Sequence, residues 1–343
     1  MNSTPQTSSS SRRFRQLCWL GTLIALCVVV LGAWVRLNHA GLGCPDWPGC
    51  YGHLTAGQAA ANATEVNAAF PDRPVVEHKA FREMFHRFVA GGLVLVIVAI
   101  AVFAFRHRDD ASQPKRLPAA LVLLVVFQAL LGMWTVTLLL KPLIVVAHLV
   151  GGMSVLALLW WLSLERPVAS TASDLRLRRW AIAGLVVLAL QIMLGGWVSS
   201  NYAALACPDF PTCQKSYWPA MDFKDAFVLW RGLGIDYEGG VLDHPARVAI
   251  HFTHRLGALA AALVLAAVAW LAVRRGSTRA VRIAGTALGV VLCIQIVLGP
   301  SMVLHALPLA LATAHNGVAA LLLLAIVAVL RSVTATAGSQ PHR

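Results

Sequence analysis

Charge is what this sequence has least of. Only 13% of its 343 residues are Asp, Glu, Lys or Arg, against about 25% in soluble domains. A disordered chain needs high charge and low hydrophobicity, so disorder is excluded. A soluble globular enzyme is disfavoured for the same reason. Acidic residues are scarcer still, 15 against 28 basic ones, giving a net charge of +13. What fills the chain instead is apolar: 58% hydrophobic, with a mean hydropathy of +0.70. A membrane helix uses about 20 apolar residues, so the length accommodates about eight spans.

Eight apolar runs stand out, near 17–37, 85–105, 118–138, 144–164, 180–200, 249–273, 283–304 and 309–330. The expected fold is all-α and polytopic, with residues 1–16 a disordered cytoplasmic start and 17–165 an N-terminal four-helix half. A linker at 166–179, a C-terminal half at 180–331 and a tail at 332–343 complete it. The even-numbered runs extend ahead of these bounds. With the N-terminus inside, 17 basic and 4 acidic residues fall on the inner side, leaving 11 of each elsewhere. The whole positive excess then sits on one face, the positive-inside pattern, and no nucleic-acid partner is needed to explain it. The first run is long, with no clear small-residue cleavage site, and reads as a retained span. A bacterial cytoplasmic membrane is the expected location, with both termini inside and long outer loops at 39–84 and 201–248.

The chain repeats itself. GAWVRLNHAGLGCPDWPGC at 32–50 matches GGWVSSNYAALACPDFPTC at 195–213, an offset of 163. Trp34, Asn38, Cys44, Pro45, Asp46, Pro48 and Cys50 recur as Trp197, Asn201, Cys207, Pro208, Asp209, Pro211 and Cys213. QALLG at Gln128 matches QIVLG at Gln295, and His148 matches His315, both at an offset of 167; His86-Arg87 matches His254-Arg255 at 168. Each half starts inside, so the duplication is parallel. Two four-helix bundles related by an axis along the membrane normal follow.

Four histidines, His86, His148, His254 and His315, lie in or at the edge of spans, in equivalent places. A lone membrane histidine is most often hydrogen-bonded core. Four in paired register call for another account, because ionisable groups in spans are costly and face the protein interior. Two facing histidines in a bundle suit a haem iron, whereas zinc wants more ligands per site. Gly91, Gly92, Gly151, Gly152, Gly257 and Gly317 lie near these histidines and would allow close approach of a helix or a macrocycle. Arg36, Arg87 and Arg255 are candidates for haem propionates or for snorkelling to lipid head groups. His39, His53, His78, His244 and His305 are given no role, and His107 and His342 belong to the inner face.

The halves differ at one place. Glu83 stands three residues before His86, whereas His251 stands three before His254. Positions i and i+3 share a helix face, so Glu83 would sit beside whatever His86 binds and could serve as acid, base or electrostatic stabiliser. The plainer reading is a solvated residue at a helix start. His251 reads as a spare ligand or a polar cap. The asymmetry implies one haem as substrate and the other as a fixed redox cofactor.

Cys44-Cys50 and Cys207-Cys213 enclose short proline-containing segments in the outer loops, where disulfides are permitted. A structural staple is the favoured reading, with thiol exchange as the alternative. Cys18, Cys27 and Cys293 read as small apolar residues of spans. There is no C-x-x-C-H for covalent haem attachment. No flavin, nicotinamide or iron–sulfur fingerprint appears either.

On these elements, with E-x-x-H-R at 83–87, AHLVGG around His148, HFTHR around His254 and AHNG around His315, the sequence resembles the haem A synthase family from about residue 17 to 330. The resemblance implies oxidation of the C8 methyl of haem O to a formyl group through hydroxylated intermediates, giving haem A for terminal oxidases. It implies haem b on His254 and His315, substrate haem O on His86 and His148, and a role for Glu83 in the reaction. It also implies a haem O synthase upstream, an electron donor that is another protein or a quinol, and self-association. Two rivals remain at this stage: a di-haem b-type quinol or electron-transfer protein, and a haem carrier or assembly factor.

Overall fold

The computed structural model describes residues 9–110, 113–165 and 172–334. Eleven helices follow one another: α1 (Ser9–Leu37), α2 (Ala56–Ala61), α3 (Ala63–Ala69), α4 (Glu77–Arg106), α5 (Arg116–Thr137), α6 (Pro142–Ser163), α7 (Ala172–Ser200), α8 (Phe223–Ala226), α9 (His244–Arg275), α10 (Arg279–Leu304) and α11 (Leu309–Ser332). No strand occurs among the described residues, only two isolated bridges. Eight of these helices, α1, α4, α5, α6, α7, α9, α10 and α11, are long and apolar enough to cross a bilayer. The protein is a polytopic membrane protein.

Local chemistry places the helix starts. Pro142 and Pro245 sit in the first turns of α6 and α9, where a missing N–H breaks no helical bond. Thr55 and Gln58 form a capping box on α2. The second and sixth spans start well ahead of their apolar runs, α4 at Glu77 and α9 at His244, whereas α6 starts two residues ahead at Pro142 and α11 starts with its run at Leu309. The polar first turns of α4 and α9 stand among the loops, which shortens both long connections.

Two expected boundaries move. Residues 9–16 are helical, not disordered, because α1 starts at Ser9. Phe14 is buried against Phe103 at 6.4 Å, and Arg15 pairs with Glu165 at 3.0 Å. Residues 172–179 of the expected linker belong to α7, where Ser277 donates to the buried Asp174. Residues 1–8, 166–171 and 335–343 lie outside the described residues, and with them Arg166, His342 and Arg343.

In the first half α1 packs on α4 and α6, and α5 packs on the same two. In the second, α7 packs on α9 and α11, and α10 on the same two. The halves meet through α1 with α11, α6 with α7 and α6 with α11. Ile97, Ile100 and Leu156 belong to one continuous buried cluster with Leu265, Leu288 and Ile326. Large apolar side chains such as Leu95, Leu123 and Val297 point outward, as lipid-facing helices require. Repeat-equivalent residues also touch: the His39 ring stacks on Tyr202 at 5.7 Å, and Arg36 donates to the Ser199 carbonyl at 2.8 Å.

Candidate functional site

The four span histidines come from α4, α6, α9 and α11, and each imidazole lies against a glycine of a neighbouring helix. A Cβ built on Gly32 of α1 would stand 3.1 Å from His86 Cε1, and one on Gly195 of α7 would stand 3.2 Å from His254 Cε1. The same construction on Gly132 of α5 gives 3.4 Å to His148 Cε1, and on Gly299 of α10 it gives 3.8 Å to His315 Cε1. A side chain at any of these positions would reach the ring, most tightly at Gly32 and Gly195. His86 and His148 lie within electrostatic reach of each other, as do His254 and His315.

These are not the glycines that sequence reading picked out. Gly91 and Gly92 face open space; Gly151 faces Gln128, Gly257 faces Gln191, and Gly317 faces Val30. Proximity along one helix was a poor guide, because a ring is packed by its neighbour across the helix interface. The usable signal was the repeat itself, in which Gly32 aligns with Gly195 and Gly132 with Gly299.

Buried amides surround the imidazoles, a feature missed in the sequence apart from the Gln128 and Gln295 register. Gln128 donates to the His148 carbonyl at 2.9 Å. Gln191 Nε2 lies 3.0 Å from His254 Nδ1 and donates to the His254 carbonyl at 3.0 Å. Gln295 Nε2 lies 3.3 Å from His315 Nε2. The Nδ1 atoms of His86, His148 and His315 are buried without a partner, as are the Oε1 atoms of all three glutamines. Orphaned buried polar atoms are rare and ask for an explanation.

Glu83 is buried, with 5% of its surface exposed, so it is not a solvated helix-start residue. Its Oε2 accepts the Cys44 N–H at 2.9 Å, and its Oε1 accepts from Arg87 at 2.5 Å. The carboxylate therefore ties the His86 helix to the cysteine loop. His251 does the corresponding work in the second half, with Nδ1 3.0 Å from the Ala203 carbonyl. That makes it a polar tether between α9 and the loop after α7.

Arg87 donates to the carbonyls of Asp46 at 3.0 Å and Gly49 at 2.5 Å. Arg255 donates to those of Cys207 at 3.0 Å, Asp209 at 2.8 Å and Thr212 at 2.8 Å. Arg36 donates to Tyr202 Oη at 3.0 Å as well as to Ser199. These guanidiniums anchor loop backbone and, for Arg36, a ring of the other half.

Both cysteine pairs are disulfides, with Cα atoms 4.8 Å apart for Cys44 and Cys50 and 4.6 Å apart for Cys207 and Cys213. Within each ring an aspartate organises the turn that follows. Asp46 accepts the N–H groups of Tyr51 at 2.6 Å and Gly52 at 2.7 Å. Asp209 accepts those of Gln214 at 2.6 Å and Lys215 at 2.9 Å, and the Thr212 hydroxyl. The Thr212 hydroxyl first, and the N–H donors with it, hold the Asp209 carboxyl below its ordinary value.

Among the described residues no three or more His, Cys, Asp or Glu side chains gather as a metal cage. Pairs of neutral imidazoles do suit an iron that brings its own equatorial nitrogens. The glycine-backed rings with sheltered Nδ1 atoms fit such a ligand in both halves.

The fold is that of a polytopic helical membrane protein with a repeated sequence, whose four span histidines stand at equivalent places of the repeat. Residues 15–327 match the cytochrome oxidase assembly protein family, COX15-CtaA. Heme A synthase of Shewanella oneidensis is 43% identical, covering 92% of this chain and 96% of its own length. Heme A synthase of Caulobacter vibrioides is 30% identical over 89% and 92%, and that of Rhizorhabdus wittichii 27% over 90% of each. The chain belongs to the COX15-CtaA cytochrome oxidase assembly family.

Proposed function

We propose that this chain is a haem A synthase, an oxidoreductase that converts the C8 methyl of haem O to a formyl group through hydroxylated intermediates. The observation that carries the proposal is the pairing of two glycine-backed histidine sites with a buried carboxylate beside only one of them. His254 and His315 hold a resident haem b; His86 and His148 hold haem O as substrate. Bound haem b supplies a redox-active iron that relays electrons. The protein's own part is to keep the four imidazoles neutral and sheltered. Glu83, one turn from His86 on the same face, is fixed by Cys44 and Arg87, so its charge stands at a defined place beside the substrate site.

The two halves are related by an axis along the membrane normal, a reading supported by the contacts between repeat-equivalent residues. The protein lies in the bacterial cytoplasmic membrane with its termini inside and its disulfide loops outside. A haem O synthase supplies the substrate, a quinol or a protein supplies electrons, and the chain self-associates. The farnesyl tail of the substrate enters between helices from the bilayer.

The test is the haem profile of membranes carrying this chain and a haem O synthase, compared with Glu83→Ala. Haem A or hydroxylated haem O in the wild type, lost in the variant, is the expected result. Haem B and unmodified haem O alone, from a folded and haem-loaded protein with a competent donor, would replace the proposal by electron transfer or haem carriage.

A further inference from the structure

The two sites face opposite demands. A resident cofactor must stay, whereas a substrate must enter and its product leave. The structure distinguishes the halves in a way that answers this. In the C-terminal half both rings have a glutamine amide at hydrogen-bonding range, Gln191 at His254 and Gln295 at His315. In the N-terminal half neither ring has one, and Gln128 is turned to the His148 backbone; of the four Nδ1 atoms, that of His254 has an amide partner, whereas those of His86, His148 and His315 have none.

The Gln191 contact rests on a coordinated exchange of residues. At the repeat offsets of 163 and 168, Gln191 corresponds to Val28 and Gly257 to Val89. A Cβ on Gly257 would fall on Gln191 Oε1, so a larger residue there would push the amide out of its present seat. One half carries amide and glycine; the other carries valine and valine in the same places. The amide is thus a built feature and not a chance polar residue.

We propose that Gln191 is the positioning residue that makes the C-terminal histidine pair retentive, and that Val28 with Val89 leaves the N-terminal pair exchangeable. This rests on the assignment of haem b to His254 and His315. An imidazole that ligates through Nε2 carries its proton on Nδ1 and needs an acceptor there. The unpartnered Oε1 of Gln191 is that acceptor once the amide rotates so that Oε1 meets Nδ1 while Nε2 keeps its bond to the His254 carbonyl. The bond fixes the ring's tautomer and orientation and makes it a stronger donor to iron. Outer partners of this kind change metal affinity by about 10–100-fold.

The experiment uses the full chain in detergent and reads transfer of haem to excess apomyoglobin, together with the midpoint potential and the low-spin spectrum. His254→Ala comes first and should abolish the resident haem; if that haem persists, both the site assignment and this inference fall. With the assignment secure, Gln191→Leu should speed haem loss at least about tenfold and raise the potential. Gln191→Glu keeps an acceptor of the same length and should retain haem at a lowered potential. The double change Val28→Gln with Val89→Gly should slow haem release from the N-terminal site. Unchanged loss rate, potential and spectrum in Gln191→Leu would overturn the inference alone. So would an unchanged release rate in the double variant, which also decides the matter should Gln191→Leu not fold.

Discussion

Replacing Gly195 by alanine should weaken the haem site proposed for the C-terminal half without weakening the fold. The added Cβ would stand 3.2 Å from His254 Cε1, inside ordinary contact distance, so the ring must move by a few tenths of an ångström. With haem bound the ring would be held by iron as well as by Gln191, 3.0 Å away one turn along the same helix as Gly195, and could not retreat as freely as the haem-free ring. Overpacking of this kind costs about 1–3 kcal/mol, and about 1.4 kcal/mol is a factor of ten in affinity. Haem retention should therefore fall by about 10–100-fold. Alanine is favoured over glycine in a helix by about 1 kcal/mol, so the apoprotein's thermal midpoint should hold or rise. Haem per protein after purification, transfer to apomyoglobin and thermal unfolding measure both sides. Gly299→Ala is the internal control, since its Cβ would lie 3.8 Å from His315 Cε1, an ordinary contact. Equal haem loss in Gly299→Ala, or a matching fall in the thermal midpoint of Gly195→Ala, would refute the reasoning.

Three further outcomes follow from the loops. Ser at Cys44 and Cys50 should lower stability by roughly 2 kcal/mol, the chain-entropy value for so short a ring, and so should Ser at Cys207 and Cys213. Only the first pair should also cut haem O conversion, because Glu83 hangs from the Cys44 N–H; equal conversion in both, read by haem chromatography, would contradict this. Gly43→Ala should be damaging, with its Cβ 2.6 Å from the Lys79 carbonyl carbon and 2.9 Å from the Ala80 nitrogen. Backbone cannot yield as a side chain can, so a loss of about 3 kcal/mol and reduced conversion are expected in thermal and haem-profile assays. Lys141 is buried with its ammonium bonded to the Gly232 carbonyl and lying 3.9 Å from the Trp230 ring centre. Desolvation lowers its pKa below the ordinary 10.5. The folded state then binds fewer protons than the unfolded one, so this residue makes stability rise with pH toward that value. Lys141→Met should remove that slope in thermal midpoints measured across the alkaline range.

The spans were legible because lipid imposes a coarse rule on every one of them: enough apolar residues in a row. That the second and sixth helices start ahead of their apolar runs was legible too, but not the exact starts at Glu77 and His244, since those first turns are polar and answer to the loops. The histidines were legible through the repeat, which turned four isolated residues into two pairs. The ring-packing glycines were harder to see. A helix interface is set by which residues meet across it, and Gly91 beside His86 in sequence points elsewhere. Arg87 and Arg255 show the same limit. Their position after a histidine fitted a ligand contact, but the loop carbonyls above them were nearer. Gln191 carries no repeat signal, because its counterpart at the offset of 163 is Val28.

That mismatch bears on how a duplicated protein acquires direction. Identical halves would bind two haems alike and have no reason to send electrons from one to the other. Here departures from identity fall at the sites: Glu83 against His251, Gln191 with Gly257 against Val28 with Val89. Everything that must stay common has stayed common, including the disulfide rings and the arginines bound to their carbonyls. The halves must also keep a fixed relation, and lipid gives helices no hydrophobic reason to associate. The contacts at the loop end fill that need. Arg36 reaches the Ser199 carbonyl, the Tyr237 N–H donates to the Leu139 carbonyl at 3.1 Å, and Lys141 bonds to Gly232. Arg73 pairs with Asp236 at 2.7 Å, though an exposed pair adds only about 0–1 kcal/mol. The second half's loop thus closes over the first half's helices, and two unlike sites are locked into one frame.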